Sequence, residues 1–229
     1  MDEKKIILKH AGTVLAGQLA VVAFGVTDTI IAGQYSAHAL AVLSVSSAIY
    51  ITMYVSLIGV IQALLPMFAE MYGAQKFEKI GALLRQSLYV WLGLSVIGAL
   101  VLISPFLILQ WTQVPLSVQG DVKAYLGILA LALPAALFFR LYSSLNQSIG
   151  KPRLVTWIQI AALAAKIPLS VLLTFGTETI EGMGIVGCAL ATVVVNYAMC
   201  ALAIWLLRTR TIYTPLAIWQ PMSRPEWST

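Results

Sequence analysis

The chain has 229 residues, of which 60% are hydrophobic and only 10% charged, and its mean hydropathy is +0.89. A soluble domain carries about 25% charged residues, so this composition excludes one and implies an all-α polytopic membrane protein. The net charge of +5 comes from basic residues scattered among short connections, without the Lys/Arg runs or stacking platforms that nucleic-acid binding requires.

Met1-Asp2-Glu3-Lys4-Lys5 leads into a long apolar stretch with no cleavage site, which reads as a retained first span and not a removed signal peptide. A span needs about 20 mostly apolar residues. The first covers 11–33, where Gly12, Ala16 and Ala20 at four-residue spacing predict a face of close helix approach. Asp28 lies near its outer end. A carboxylate costs about 2.5–3.5 kcal/mol at a helix centre on insertion scales, so it normally faces a bundle interior or a water-filled cavity. An interfacial place in the outer headgroup region is the alternative.

The second span is expected at 43–68, with Ser47, Tyr50 and Tyr54 on one face. After the Lys76-Phe77-Glu78-Lys79 connection comes the third, at 86–110. Pro115 to Asp121 separates it from the fourth, at 123–147, which carries Pro134 in its interior and Arg140 where a long side chain can snorkel to the cytoplasmic surface. Gly150-Lys151-Pro152-Arg153 turns the chain into the fifth, at 155–176. Pro134 and Pro168 each remove a helix hydrogen bond and favour a kink. On span five, Gln159, Lys166, Ser170 and Thr174 stand seven, four and four residues apart, a nearly continuous polar stripe. The sixth span, 183–207, adds Cys188, Thr192 and Asn196 at four-residue spacing. These stripes predict a partly polar bundle interior, unless the hydroxyls merely bond to their own helix carbonyls. Cys188 and Cys200 are more than three turns apart, too far to bridge, and read as small apolar filler.

Lys4, Lys5 and Lys9, then Lys76, Lys79 and Arg85, then Lys151 and Arg153, then Arg208, Arg210 and Arg224 fall on one side, against Lys123 on the other. The excess of Lys and Arg marks the cytoplasmic side and places both termini there. Trp91, Trp111, Trp157 and Trp205 fall near predicted span ends, where interfacial anchors belong. Spans one and five both run outward. Asp28 is about 25 Å and Lys166 about 17 Å along its span at 1.5 Å per residue. A lysine stem can bridge that difference, so pairing is possible and spacing alone does not decide it. His-Glu-x-x-His, Gly-x-Ser-x-Gly and P-loop patterns are absent from the sequence, which argues against an intramembrane enzyme or direct ATP use. His10 and His38 sit at span edges, where solvated roles are expected and metal binding is not.

Several blocks, in order, resemble the multidrug and toxic compound extrusion (MATE) family, NorM-like branch. They are Asp28-Thr29-Ile30-Ile31-Ala32-Gly33; Pro66-Met67-Phe68-Ala69-Glu70-Met71-Tyr72-Gly73-Ala74; Gly81-Ala82-Leu83-Leu84-Arg85-Gln86-Ser87; Ile167-Pro168-Leu169; and Gly182 to Thr192. The resemblance covers essentially the whole chain. It implies secondary active efflux of organic cations driven by sodium ions or protons, with no other cofactor, in the bacterial inner membrane. Family members have twelve spans in two six-helix lobes enclosing a central cleft, a parallel-repeat architecture.

This chain resembles the amino-terminal lobe alone: residues 1–207 as the lobe and 208–229 as a cytoplasmic tail like the inter-lobe linker. The expected partners are the lipid bilayer, organic cations and a second six-helix lobe, supplied by a missing half or by a homodimer. Asp28 matches the family's coupling carboxylate, and Lys166 and Ser170 occupy positions where the family often has Asn, or Asn and then Asp. A lysine ammonium there would stand in for the coupling cation. Tyr50, Tyr54, Gln159, Thr192 and Asn196 are the candidate cavity-lining residues. The alternatives are a non-transporting fragment, a half-size subunit that requires a partner lobe, and a flippase of the same superfamily, which usually carries more basic residues in its cavity.

Overall fold

The computed structural model describes residues 3–105, 115–177 and 180–219. Their helices are α1 (Glu3–Tyr35), α2 (Ala37–Gln62), α3 (Leu64–Gly73), α4 (Phe77–Ile103), α5 (Leu116–Ser148), α6 (Pro152–Phe175) and α7 (Ile185–Thr209). A two-residue antiparallel pair, β1 (Gly176–Thr177) with β2 (Ile180–Glu181), joins α6 to α7, and a 3-10 turn, Thr211–Leu216, follows α7. Among the described residues, six segments are long and apolar enough to cross a membrane: Ala11–Tyr35, Ala37–Gly73, Phe77–Ile103, Leu116–Ser148, Pro152–Phe175 and Ile185–Thr209. The expected all-α membrane architecture is therefore present.

Local chemistry sets several helix ends. Ser36 is extended and its hydroxyl accepts from the Ala39 amide (3.0 Å), capping α2. Pro66 has no N–H to return to Gln62, four residues back, and α2 gives way to α3 at Ala63. Pro105 disfavours helix at Ser104, where α4 has ended. Pro152 sits in the first turn of α6, where its missing donor costs nothing.

The third span differs from expectation. It begins at Phe77, nine residues before 86, because Ile80, Gly81, Leu84 and Ser87 already form a buried stripe at helical spacing. An amphipathic turn needs one apolar face, not uniform hydropathy. The expected end at 110 lies outside the described residues, as does Trp111.

Helix α5 is the core element. Buried positions make up 61% of its span window, against 17–33% for the other spans. Leu126, Leu133, Leu137, Leu141 and Leu145 are fully buried along it. Around it the packing order runs α1–α2–α5–α7–α6 and back to α1, a closed ring, with α4 laid on the outside of α5. Glycines bring neighbours together. A side chain at Gly187 would meet the Leu173 backbone of α6, and one at Gly17 would meet Gln159 and Thr156.

Gly17 also corrects the expected contact face of α1. Gly12 and Ala16 are exposed, and the buried stripe is Gly17, Ala20, Asp28, Ile31 and Ala32. Trp91 is likewise no interfacial anchor. It lies mid-helix in α4, and its indole donates to the Pro134 carbonyl of α5 (2.8 Å). Trp157 and Trp205 are exposed near helix ends, as expected.

Residues 211–219 dock under the lobe. Tyr213 and Leu216 are buried, and the Leu216 carbonyl is seated against Gly81. Arg85 Nη1 donates to the Ala217 carbonyl (2.6 Å). The Tyr213 hydroxyl donates to Asn146 Oδ1 (2.7 Å) and lies 3.2 Å from the Tyr142 hydroxyl. Asn146 Nδ2 donates to the Tyr142 carbonyl (2.8 Å). Burial raises the Tyr213 phenol above its ordinary pKa, which keeps it a neutral donor.

Candidate functional site

Two neighbours in the ring, α1 and α6, each contribute one charge to the interior. Lys166 Nζ donates to Asp28 Oδ2 at 2.8 Å. Lys166 is 2% exposed and Asp28 8%, so the carboxylate faces the bundle, not the headgroup region. The pairing that spacing left open is made. The ammonium also stands 4.9 Å from the centroid of the Phe24 ring, one turn before Asp28 on α1. Aromatic faces attract cations, so α1 presents a carboxylate and a π-face to the same ammonium.

Such a pair is expensive. Removing an ion from water costs several kcal/mol even after relaxation, and mutual attraction recovers this only with good geometry and satisfied remaining valences. Here that satisfaction is incomplete. Asp28 Oδ1 has no partner, and neither has the hydroxyl of Ser170, one turn beyond Lys166 and wholly buried. Thr174 completes the stripe with a 3.2 Å contact to Cys188 Sγ on α7. Cys188 is therefore a polar contact of α6 and more than apolar filler. Tyr125 of α5 is buried within electrostatic range of Asp28. The arrangement can hold, exchange or release one unit of positive charge at a carboxylate that keeps an open oxygen.

The other candidates are dispersed. Tyr50 and Tyr54 are half-buried on α2 and stack with centroids 5.7 Å apart and planes 8° from parallel. Gln159 is buried toward the other end of α6, beside a cavity of ≈ 10 Å³ also lined by Val14, Gln18, Ser143, Gln147 and Thr156. That is about room for one water. Thr192 donates to the Cys188 carbonyl (3.0 Å) and Asn196 to the Thr192 carbonyl (2.8 Å). Both bonds stay within α7, as the local alternative anticipates for hydroxyls. His38 is exposed and lies 2.7 Å from Asp121 Oδ2, linking the N-terminal parts of α2 and α5. Among the described residues no three His, Cys, Asp or Glu side chains cluster as a metal site.

Sequence reasoning missed Phe24 and Tyr125. Phe24 was readable as the i−4 neighbour of Asp28, on the same helix face. Nothing in the sequence distinguishes Tyr125 from an interfacial aromatic.

A six-span helical bundle with a buried, incompletely satisfied ion pair defines a polytopic membrane protein whose interior holds ionisable groups. The sequence profile of the MatE family matches residues 14–172, and the chain belongs to that family. It is 33% identical over 223 residues to the probable multidrug resistance protein NorM of Aromatoleum aromaticum, covering 96% of this chain and 48% of that protein. It is 30% identical over 232 residues to the probable multidrug resistance protein NorM of Neisseria meningitidis serogroup B, covering 100% and 50%. The chain thus spans about half the length of the curated relatives it matches. The fold superposes on the eukaryotic MATE transporter AtDTX14 with a TM-score of 0.85 at 16% identity, covering 93% of this chain and 47% of that one. It superposes on the Vibrio cholerae MATE transporter VcmN in its bent form with a TM-score of 0.79 at 18% identity, covering 90% and 46%.

Proposed function

We propose that this chain forms the amino-terminal lobe of a secondary active efflux transporter that exports organic cations in exchange for an inward-moving cation. Asp28 is the coupling carboxylate. One observation carries the reading: a buried carboxylate with one oxygen bound to an ammonium and the other unpartnered. Such a group has a charge balance that can be remade, and lobe conformations that solvate it differently respond to that change. Lys166 and Ser170 belong to the same site. Tyr50 and Tyr54 offer aromatic faces suited to a cationic substrate. The lobe lies in the bacterial inner membrane with both termini cytoplasmic, as the bias of Lys and Arg supports. A second six-helix lobe completes the cleft.

The test is ethidium or norfloxacin efflux from cells lacking their own pumps, expressing this chain together with the carboxyl-terminal half of a NorM relative. Efflux above the empty-vector control that falls at least about tenfold in Asp28→Asn, roughly 1.4 kcal/mol of coupling, is the expected result. Efflux unchanged by Asp28→Asn removes the carboxylate from the mechanism. A half-size subunit that pairs with its own copy is the alternative reading. Efflux by this chain expressed alone, with a homodimer on purification, would select it.

A further inference from the structure

The inference concerns which cation neutralises Asp28, and it rests on reading that carboxylate as the coupling group. Among the described residues, Asp28 and Lys166 are the charged side chains that are buried. Their charges sum to zero. Adding an inorganic cation to the intact pair would leave a net positive charge in a low-dielectric interior, which carries the full desolvation penalty of an uncompensated ion.

The space around the pair is equally unsuited to a metal ion. Lys166 is among the largest fully buried side chains, so its stem fills the volume beside Asp28. Its ammonium takes Oδ2 at 2.8 Å and lies against the Phe24 ring. A ring suits an ammonium and offers no oxygen lone pair. Hard cations are held by shells of several oxygens. Here the uncommitted buried oxygens of the stripe are Asp28 Oδ1 and Ser170 Oγ. Thr174 is engaged with Cys188.

We propose that Lys166 is a covalently tethered counter-cation that occupies the place of a coupling metal ion, so that this lobe binds no sodium. The side chain supplies the positive charge that a free cation would otherwise bring, and it cannot be diluted away. Among the described residues, the titratable groups within electrostatic range of the pair are Tyr125 of α5 and Cys188 of α7, with Tyr50 of α2 in turn within range of Tyr125. None of these is a cation at neutral pH, so Lys166 is the neutralising group.

The experiment is direct sodium binding by the purified full chain, using radioactive sodium. It is paired with unfolding midpoints in sodium chloride and in choline chloride of equal ionic strength. The parent chain is expected to show no saturable sodium binding, as is Asp28→Asn. Lys166→Asn removes the tethered charge and should acquire saturable binding, with a midpoint raised by about 2–4 °C at saturating sodium. Adding Asp28→Asn to it should abolish that response.

Saturable sodium binding by the parent that Asp28→Asn removes would overturn the proposal. So would a folded Lys166→Asn chain that ignores sodium. If Lys166→Asn does not fold, the parent and Lys166→Arg decide: sodium binding in either overturns the proposal, and its absence in both upholds it. Binding is read without transport. An efflux assay indifferent to Asp28→Asn would therefore refute the coupling role and leave the sodium result standing.

Discussion

Two buried polar clusters in this lobe follow opposite rules. The Tyr142–Asn146–Tyr213 cluster is neutral, and both polar atoms of the Asn146 side chain are engaged, its oxygen by Tyr213 and its nitrogen by the Tyr142 carbonyl. It fastens the segment after α7 to the core helix α5. The Asp28–Lys166 cluster is charged and leaves Asp28 Oδ1 and Ser170 Oγ unpaired. A satisfied neutral network rigidifies a fold, whereas a half-satisfied charged one costs stability wherever it sits. Only the second has a reason to change state. The contrast separates a structural clasp from the site proposed to handle charge, although both read as buried polar residues.

The largest effect is expected from separating the charges. Lys166→Met leaves Asp28 buried without a counter-ion and should cost about 3–5 kcal/mol, read as a lowered midpoint of unfolding in detergent or nanodiscs. Combining it with Asp28→Asn should recover most of the loss. A double variant as damaged as the single one would mean that Lys166 contributes bulk and not charge.

A smaller effect is expected at the clasp. Gly81→Ala pushes a methyl against the Leu216 carbonyl and should cost about 1–3 kcal/mol by overpacking. The expected sign is faster protease cleavage within 211–219. Undiminished protection would show that the segment is held by other contacts.

The smallest change is Tyr213→Phe. It keeps the ring and deletes the donor to Asn146 Oδ1, at a cost of about 1 kcal/mol. Efflux through the charged site should be unaffected. A loss of efflux as deep as that of Asp28→Asn would dissolve the distinction between the two clusters.

Much of the site was legible from spacing. Gln159, Lys166, Ser170 and Thr174 recur at helical intervals, and all four are buried on one face of α6. Asp28 stands out because a carboxylate in hydrocarbon is costly. Less legible were features that depend on helix rotation. Of the small-residue face expected on α1 at Gly12, Ala16 and Ala20, only Ala20 is buried, and Gly17 takes the place of Ala16. Small residues are abundant enough in this helix that several registers satisfy the same spacing. Trp91 was assigned to an interface because hydropathy places the start of its span too late. The amphipathic turn from Phe77 to Ser87 lowers average hydropathy while still burying one side.

Sequence alone determined the helical class, the span order and which residues carry charge into the bilayer. These follow from transfer free energies and helical periodicity, which are local properties of the chain. Only the tertiary structure decided that Lys166 reaches Asp28, that Phe24 backs the ammonium, and that Tyr213 returns to α5. Each of these contacts joins elements far apart in sequence, and their meeting depends on how each helix is rotated against its neighbours. That rotation is set by side-chain interlock across the whole ring, which no single segment encodes.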